Sequence, residues 1–376
     1  MKIRKMGQWL TAAALAAGLA LPAAAADIKV GVMTAMTGAY AFGGVPIRNG
    51  MVLALKEAND TGYLPGTKIQ ILDADSGGEK GQAITLASRF AKTDNVLMIL
   101  GPMTSLEATA AAPIANEQKV VLFSTSASKG ITAAGPYSFK MQPVGSDNMG
   151  PLAEYAVNKL GVKKVALVFD RGNDGYVGQK DGIKAAFEKA GVKIVNEDGI
   201  LATDTDFLAL ATKLATSDAD AFFVTSPAEV GANLLLQARQ AGLPAKVRML
   251  APSTFASDSF LDIAGKAATG SVISADYFIG DPSPANQAFV KAYAAAYGQQ
   301  PDNWAAVGYA LAKVALTAVK NAGADPTREK VMQELTKLRD QPSILGNHVW
   351  TMDDQRNPSY GAALLEVRNG KFELAP

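Results

Sequence analysis

The chain has 376 residues, with 36 basic and 35 acidic side chains, one histidine and no cysteine. This nearly balanced charge offers no basic surface for nucleic acid, so we expect no nucleic-acid partner. A sequence without cysteine excludes disulfides, thiol nucleophiles and thiolate metal ligands. The length exceeds what one hydrophobic core usually supports, which favours two domains.

The N-terminus has the pattern of a secretory signal peptide. Basic residues within 1–5 precede an apolar run over 10–21, and a proline and four alanines follow. The apolar run is well short of the ~20 residues that a spanning helix needs. We therefore expect residues 1–26 to be a signal peptide cleaved after Ala26, and the mature protein to be free outside the cytoplasm without a lipid anchor.

Apolar runs alternate with amphipathic segments of helical length through the first part of the chain. The predicted strands are 28–34, 68–74, 96–100 and 120–124, and the predicted helices are 47–61, 79–93 and 105–117. The same alternation of strand and helix patterns occurs again later in the chain. Its predicted strands are 165–169, 193–197, 221–225 and 247–251, and its predicted helices are 178–190, 207–216 and 229–241. Strand, helix and strand at this spacing indicate parallel βαβ units, so the sequence predicts an α/β fold with two similar lobes.

The rest of the chain is too short for a third domain. It contains helical patterns at 284–297, 304–321 and 327–337, and strand patterns at 347–352 and 362–368. We expect it to return to the first lobe and to finish on the second. The first lobe would comprise 27–144 and 276–346, and the second 145–275 and 347–376. Repeated crossings of this kind make a hinge whose cleft can close.

Enzyme chemistry finds little support in the sequence. The single histidine, His348, falls in a strand pattern, and the chain has no Gly-x-Ser-x-Gly elbow to pair with it. No glycine-rich dinucleotide motif follows a strand and no phosphate-binding Gly-Lys-Ser/Thr motif occurs. We therefore expect a protein that is not an enzyme, with no cofactor and no metal site, although a pair of carboxylates is left open.

Two hydroxyl-rich loops follow neighbouring predicted strands. Residues 101–107 follow the strand 96–100, and Ser124, Thr125, Ser126 and Ser128 stand at the end of the next one. Parallel strands end at the same edge of a sheet, where open α/β folds bind ligands. Thr104 and the acid three residues later have capping-box spacing, which directs free backbone N–H groups and a positive helix end into the cleft. A ligand carboxylate suits such a site.

In order and spacing, several segments resemble periplasmic substrate-binding proteins of the leucine/isoleucine/valine-binding type. They are 28–38, 87–90, 170–178, 237–242, 262–265, 289–293 and the two hydroxyl loops. This resemblance implies two Rossmann-like lobes joined by three crossovers. It also implies a monomer that carries amino acids or related compounds to the permease of an ABC importer. The same fold forms the ligand-sensing part of receptors, which is a further alternative.

The resemblance also implies the site residues. The ligand α-carboxylate would lie on Ser105, Ser126 and Ser128, beside the cap Thr104. Tyr176 would close over the ligand from the second lobe, and Trp304 would line the pocket for its side chain.

Three positions depart from the family pattern. Ser253 stands where amino-acid binders have a glutamate for the ammonium, Ser226 replaces an aromatic residue, and Gly43 leaves space in the first lobe. Burying an ammonium without a carboxylate costs several kcal/mol. We therefore expect a small carboxylate without a required α-ammonium: an aromatic or keto acid stacked on the aromatic residues Trp304, Tyr40 or Phe42. An amino-acid ligand stays open, because an ammonium could be held from another direction by one of three acids, Asp174, Glu229 or Asp276.

Overall fold

The structure is a computed structural model that describes residues 27–144 and 149–376. The predicted signal peptide and its cleavage site lie outside the described residues. Within the described part of the chain, no helix is long and apolar enough to cross a membrane.

The first lobe is built on a five-stranded parallel sheet in the order β2-β1-β3-β4-β5. The strands are β1 Ile28–Thr34, β2 Ile69–Asp75, β3 Met98–Leu100, β4 Val121–Ser124 and β5 Ser138–Lys140. The helices between them are α1 Ala41–Asp60, α2 Lys80–Lys92, α3 Ser105–Glu117 and α4 Lys129–Ala133. The central strands β3 and β4 are buried along their whole length, as their uninterrupted apolar sequences predict.

The second lobe repeats this arrangement. Its parallel strands are β6 Lys164–Asp170, β7 Lys193–Ile200, β8 Ala221–Thr225, β9 Arg248–Pro252 and β10 Val272–Ala275. Its helices are α5 Gly150–Asn158, α6 Asp174–Lys189, α7 Leu208–Thr216, α8 Ala228–Gln240 and α9 Asp258–Ala264. The α/β fold with two lobes is therefore confirmed.

The tail returns to the first lobe through three helices, α10 Pro284–Tyr297, α11 Asn303–Asn321 and α12 Arg328–Lys337. Helices α1 and α11 touch backbone to backbone. A Cβ added to Gly50 would lie 2.0 Å from the Ala305 carbonyl oxygen, so only glycine permits this approach. The Arg328 guanidinium donates to the carbonyl oxygens of Val96 and Ala91, each at 2.9 Å, and ties α12 to the same lobe.

A small antiparallel sheet of β11 Gln341–Pro342, β12 Val349–Met352 and β13 Pro358–Ser359 follows. It packs on the first lobe: Trp350 donates to the Met141 carbonyl oxygen at 3.3 Å, and Arg356 donates to that of Thr132 at 2.7 Å. The predicted boundary at residue 347 conflicts with these contacts. The lobe boundaries stay predictions, and the contacts favour a third crossing after β13.

The chain ends on the second sheet. The antiparallel strands β14 Ala363–Arg368 and β15 Lys371–Leu374 extend it to the order β15-β14-β10-β9-β8-β6-β7. The turn between them uses Asn369 at φ 50° and Gly370 at φ 74°. The chain thus passes between the lobes after β5, after β10 and before β14, which gives the hinge its three connecting segments.

Candidate functional site

A cavity lies between the lobes at the carboxyl ends of both sheets. It holds about 410 Å³ of empty space, part of which opens to solvent. Six of the predicted site residues line it, namely Thr104, Ser105, Ser126, Tyr176, Ser253 and Trp304. Their role as ligand contacts stays a prediction.

The loop after β3 brings the N-terminus of α3 to the cavity. Gly101 opens this loop at φ 104°, and a Cβ there would lie 1.9 Å from the Met33 carbonyl oxygen. The predicted capping box is present: the Glu107 amide donates to Thr104 Oγ1 at 3.2 Å, and the Thr104 amide donates to the Glu107 carboxylate at 3.2 Å. The Thr104 hydroxyl also donates to that carboxylate at 2.8 Å. Thr104 therefore organises the helix start, while Ser105 faces the cavity.

Ser124 joins the two hydroxyl loops. Its hydroxyl donates to the Pro102 carbonyl oxygen at 2.8 Å, accepts from the Ser126 amide at 3.0 Å and contacts the Ser126 hydroxyl. This contact holds Ser126 at the cavity wall. Ser124 thus holds the two loops together by hydrogen bonds, although it does not line the cavity itself.

Ser128 has a different position from the one predicted. It is the N-cap of α4 and accepts from the Gly130 amide at 3.2 Å, with the Thr109 hydroxyl at 3.5 Å. The side chains that line the cavity in the described part of the chain do not include it. The Ser128 hydroxyl thus accepts hydrogen bonds at the start of α4, and its contact with the ligand stays a prediction.

The second lobe presents a second helix start to the same cavity. Asn173 caps α6 by accepting from the Gly175 amide at 2.9 Å. A Cβ on Gly175 would lie only 2.6 Å from Ser105 Oγ, so the two lobes already touch here. Two helix N-termini therefore face each other across the cavity, and their partial positive charges favour an anion between them.

Two tyrosines approach the site from opposite lobes. Burial raises the pKa of Tyr176 well above its usual value, and the tyrosine shares a hydrogen bond with Thr254. Burial raises the pKa of Tyr40 to about 12, and Tyr40 shares a hydrogen bond with Asn173 across the cleft. Both stay neutral at physiological pH. Tyr176 lines the cavity, whereas Tyr40 packs behind it against Gly78 and bridges the lobes.

Trp304 and Met103 form the apolar wall. Phe42 stacks edge-on against Trp304 with ring centroids 6.3 Å apart and stands behind it, outside the cavity lining. The predicted free space beside Gly43 is filled: a Cβ there would lie 2.5 Å from Met103 Cε and 3.3 Å from Trp304 Cδ2. The indole Nε1 of Trp304 is buried without a hydrogen-bond partner among the described residues, so it is an available donor.

Ser226 does not reach the cavity. It is fully buried in the second lobe, its hydroxyl donates to the Pro227 carbonyl oxygen at 3.0 Å, and it lies beside Gly231. Asp174 and Glu229, two of the alternatives for holding an ammonium, are exposed at the surface. Neither they nor Ser226 are among the cavity-lining residues.

Asp276 is the third alternative and lies next to the site. It stands at the second crossing, is 3% exposed, and borders a smaller cavity that shares Gln142 and Ser253 with the main one. Burial raises its pKa, while hydrogen bonds with Ser253, Asn303, Tyr360 and Gln142 lower it. Tyr360 OH donates to Asp276 Oδ1 at 3.1 Å. The carboxylate thus holds residues from all three crossings together.

Several lining residues were not predicted from the sequence, notably Met103, Gln142, Asn173, Gln179 and Thr254. Asn173 could have been found, because an asparagine before a helical pattern signals an N-cap. His348 lies elsewhere, with its Nε2 at 2.8 Å from an Asp281 oxygen at the surface. Among the described residues, no group of three or more histidine, cysteine or acidic side chains could hold a metal ion.

The family model described as periplasmic binding protein matches residues 27–371, so the chain belongs to the periplasmic binding protein family. The Leu/Ile/Val-binding protein of Escherichia coli K12 is 27% identical over 346 residues, which cover 92% of each chain. The chain is therefore a solute-binding protein of the leucine/isoleucine/valine-binding type and not an enzyme.

Two solved structures are similar over nearly the whole chain. One is the branched-chain amino acid transporter substrate binding protein LivJ of Streptococcus pneumoniae, in complex with isoleucine. It is 26% identical, with a TM-score of 0.85 over 93% of this chain and 98% of that one. The other is a solute-binding protein of an ABC transporter from Rhodopseudomonas palustris BisB5, in complex with 3,4-dihydroxybenzoic acid. It is 27% identical, with a TM-score of 0.83 over 92% and 95% of the two chains.

Proposed function

We propose that this protein binds a small carboxylate between its lobes and delivers it to the membrane permease of an ABC importer. The observation that carries the proposal is the pair of helix N-termini, α3 and α6, that meet at Ser105 and Gly175. Two positive helix ends at this separation repel each other unless an anion lies between them. A bound carboxylate therefore favours the closed arrangement over the open one.

Closure is the proposed signal to the permease. A ligand shifts the equilibrium between open and closed forms only through contacts that it gains in the closed form. Ser105 and Ser126 belong to the first lobe, whereas Tyr176 and Ser253 belong to the second. Only the closed form lets one small molecule touch all four.

The ligand class that we propose is an aromatic or keto acid without a required α-ammonium. Ser253 lines the cavity where amino-acid binders have a carboxylate, and Trp304 with Met103 provides an apolar wall. The relative from R. palustris BisB5 was solved with an aromatic acid.

An amino acid is the second candidate ligand. The buried carboxyl group of Asp276 shares a hydrogen bond with Ser253, so an ammonium bound at Ser253 would favour the charged form of Asp276 and be attracted to it. The relative from S. pneumoniae was solved with isoleucine.

We further propose that residues 1–26 are removed after Ala26 and that the protein acts as a monomer in the periplasm. The family to which the chain belongs is periplasmic. Mass spectrometry of protein secreted from a Gram-negative host checks the cleavage site, and light scattering checks the oligomeric state.

A binding experiment with two matched serines tests the proposal. Titration calorimetry is carried out with leucine, benzoates, cinnamates and keto acids, preceded by a thermal-shift screen of the same compounds. Ser105→Ala should weaken the tightest carboxylate ligand by roughly 1–3 kcal/mol, because it removes a charge-assisted hydrogen bond. Ser128→Ala is the control and should leave the affinity unchanged. No binding of any carboxylate, or equal effects of the two substitutions, would contradict the proposal.

A further inference from the structure

The orientation of the Asn303 side chain, which contacts Asp276, is fixed by its neighbours. Asn303 Oδ1 accepts from the backbone amides of Asp276 and Tyr277 at 2.8 and 3.0 Å, so its Nδ2 must point the other way. That Nδ2 donates to Asp276 Oδ2 at 3.4 Å. Oδ2 is therefore an acceptor, whether or not Asp276 carries a proton on its other oxygen.

The contact with Asp276 also orients the side-chain amide of Gln142. Its nearest atom to Asp276 Oδ2, at 3.0 Å, must be the donor Nε2. An amide has one donor group and one carbonyl oxygen, so Gln142 Oε1 is left as an acceptor. Gln142 is 9% exposed and lines both the main cavity and the smaller one beside it.

Gln179 has the opposite polarity. In the structure its Oε1 accepts a hydrogen bond from the Thr225 hydroxyl. In this orientation Nε2 is a donor for which no partner is found among the described residues. Gln179 lies on α6 of the second lobe and lines the same two cavities as Gln142. Ser253, Ser274 and Asp276 also border the smaller cavity, and its apolar lining comes from Ala127, Pro143 and Met149.

We propose that Gln142 and Gln179 form a subsite for a neutral hydroxyl or primary carboxamide group of the ligand, with Asp276 as the residue that positions Gln142. A hydroxyl or carboxamide donates to Gln142 Oε1 and accepts from Gln179 Nε2. A carboxylate can only accept and an ammonium can only donate, so each leaves one glutamine unsatisfied. The inference rests on the proposed function, because the ligand carboxylate occupies the other end of the cavity at Ser105.

Matched pairs of acids test the subsite. Calorimetric titration compares 4-hydroxybenzoate with benzoate, 3-(4-hydroxyphenyl)propanoate with 3-phenylpropanoate, and succinamate with butanoate. In at least one pair the polar member should bind the wild type at least about ten-fold tighter, since a ligand without the group leaves buried polar atoms unpaired. Leucine is titrated alongside.

Substitutions assign the preference to the two glutamines. Gln142→Met and Gln179→Met keep the length of the side chain and remove its hydrogen bonds. Each should reduce the difference within the discriminating pair to less than about three-fold, because the polar member loses a hydrogen bond and the apolar member no longer leaves that glutamine unpaired. Gln82→Met, at an exposed position on α2, is the control and should keep the full difference. Because the readout is a ratio within a pair, a general loss of affinity cannot imitate it.

Each outcome decides the proposal. If no pair discriminates in the wild type, if the difference survives in both variants, or if leucine binds tighter than every polar acid, the subsite is refuted. Ser105→Ala distinguishes this failure from that of the proposed function, because it should weaken both members of a pair equally. If no acid binds at all, the proposed function and the subsite fail together.

Discussion

Gly175→Ala should hinder closure of the cleft without disturbing either lobe. The added Cβ would lie 2.6 Å from Ser105 Oγ and 3.1 Å from Ser105 Cβ, both on the opposite lobe. Ordinary contacts begin near 3.4 Å, so the lobes must separate by several tenths of an ångström or Ser105 must turn away from the ligand. Overpacking of this size costs about 1–3 kcal/mol. If the bound form is the closed one, affinity falls by about 5- to 150-fold.

The assay is calorimetric titration with the tightest carboxylate ligand, together with the radius of gyration from small-angle scattering with and without it. Gly178→Ala is the control, because it lies on the same helix and its added Cβ meets no atom within 4 Å. We expect the control to bind and to contract like the wild type. The melting temperature of unliganded Gly175→Ala should also match the wild type, because the open form has room for the methyl group. Unchanged affinity in Gly175→Ala would refute the reasoning.

Three further predictions concern residues outside the cavity. Ser226→Ala should change the Kd less than about two-fold in calorimetry, because this side chain is buried within the second lobe. Arg328→Lys should lower the free energy of unfolding in urea by about 1–3 kcal/mol, because it loses several bonds to first-lobe carbonyl oxygens, while ligand affinity stays the same. Burial raises the pKa of Asp302 to about 7, so the folded protein favours its protonated form. The contribution of this group to the unfolding free energy is therefore fully present below about pH 4 and is lost as the pH rises through 7. Asp302→Asn keeps an acceptor for the Ala305 amide, and from pH 5 to pH 8 its unfolding free energy should rise by about 1–2 kcal/mol relative to the wild type.

Elements with a clear apolar pattern were predictable from the sequence, whereas some short strands without one were not. The strand over 28–34 and the helix over 105–117 have the predicted bounds, because each carries enough residues to show its period. Strands β5 and β10 were missed. β3 and β4 are equally short but lie in uninterrupted apolar runs, whereas β5 and β10 contain polar residues, so pairing with neighbouring strands rather than their own pattern defines them.

Half of the candidate site followed from local rules. The cap at Thr104 and the position of Ser126 depend on residues close by in the chain, so a single segment predicts them. The same kind of local interaction places Ser128 at the start of α4, outside the cavity lining in the described part of the chain. The space expected at Gly43 depends on Met103, which the sequence alone does not bring next to it.

The two-lobed α/β architecture and the helix start beside Ser105 follow from the sequence alone. Strand periodicity, helix caps and loops at strand ends are encoded within short segments. The polar contacts around Asp276 depend instead on tertiary structure. Gln142 meets Asp276 across 134 residues and Tyr360 meets it across 84, and no local pattern specifies such contacts. They arise because three crossings of the chain converge at the hinge. The buried carboxyl group of Asp276 needs hydrogen-bond donors there, and segments distant in sequence supply them.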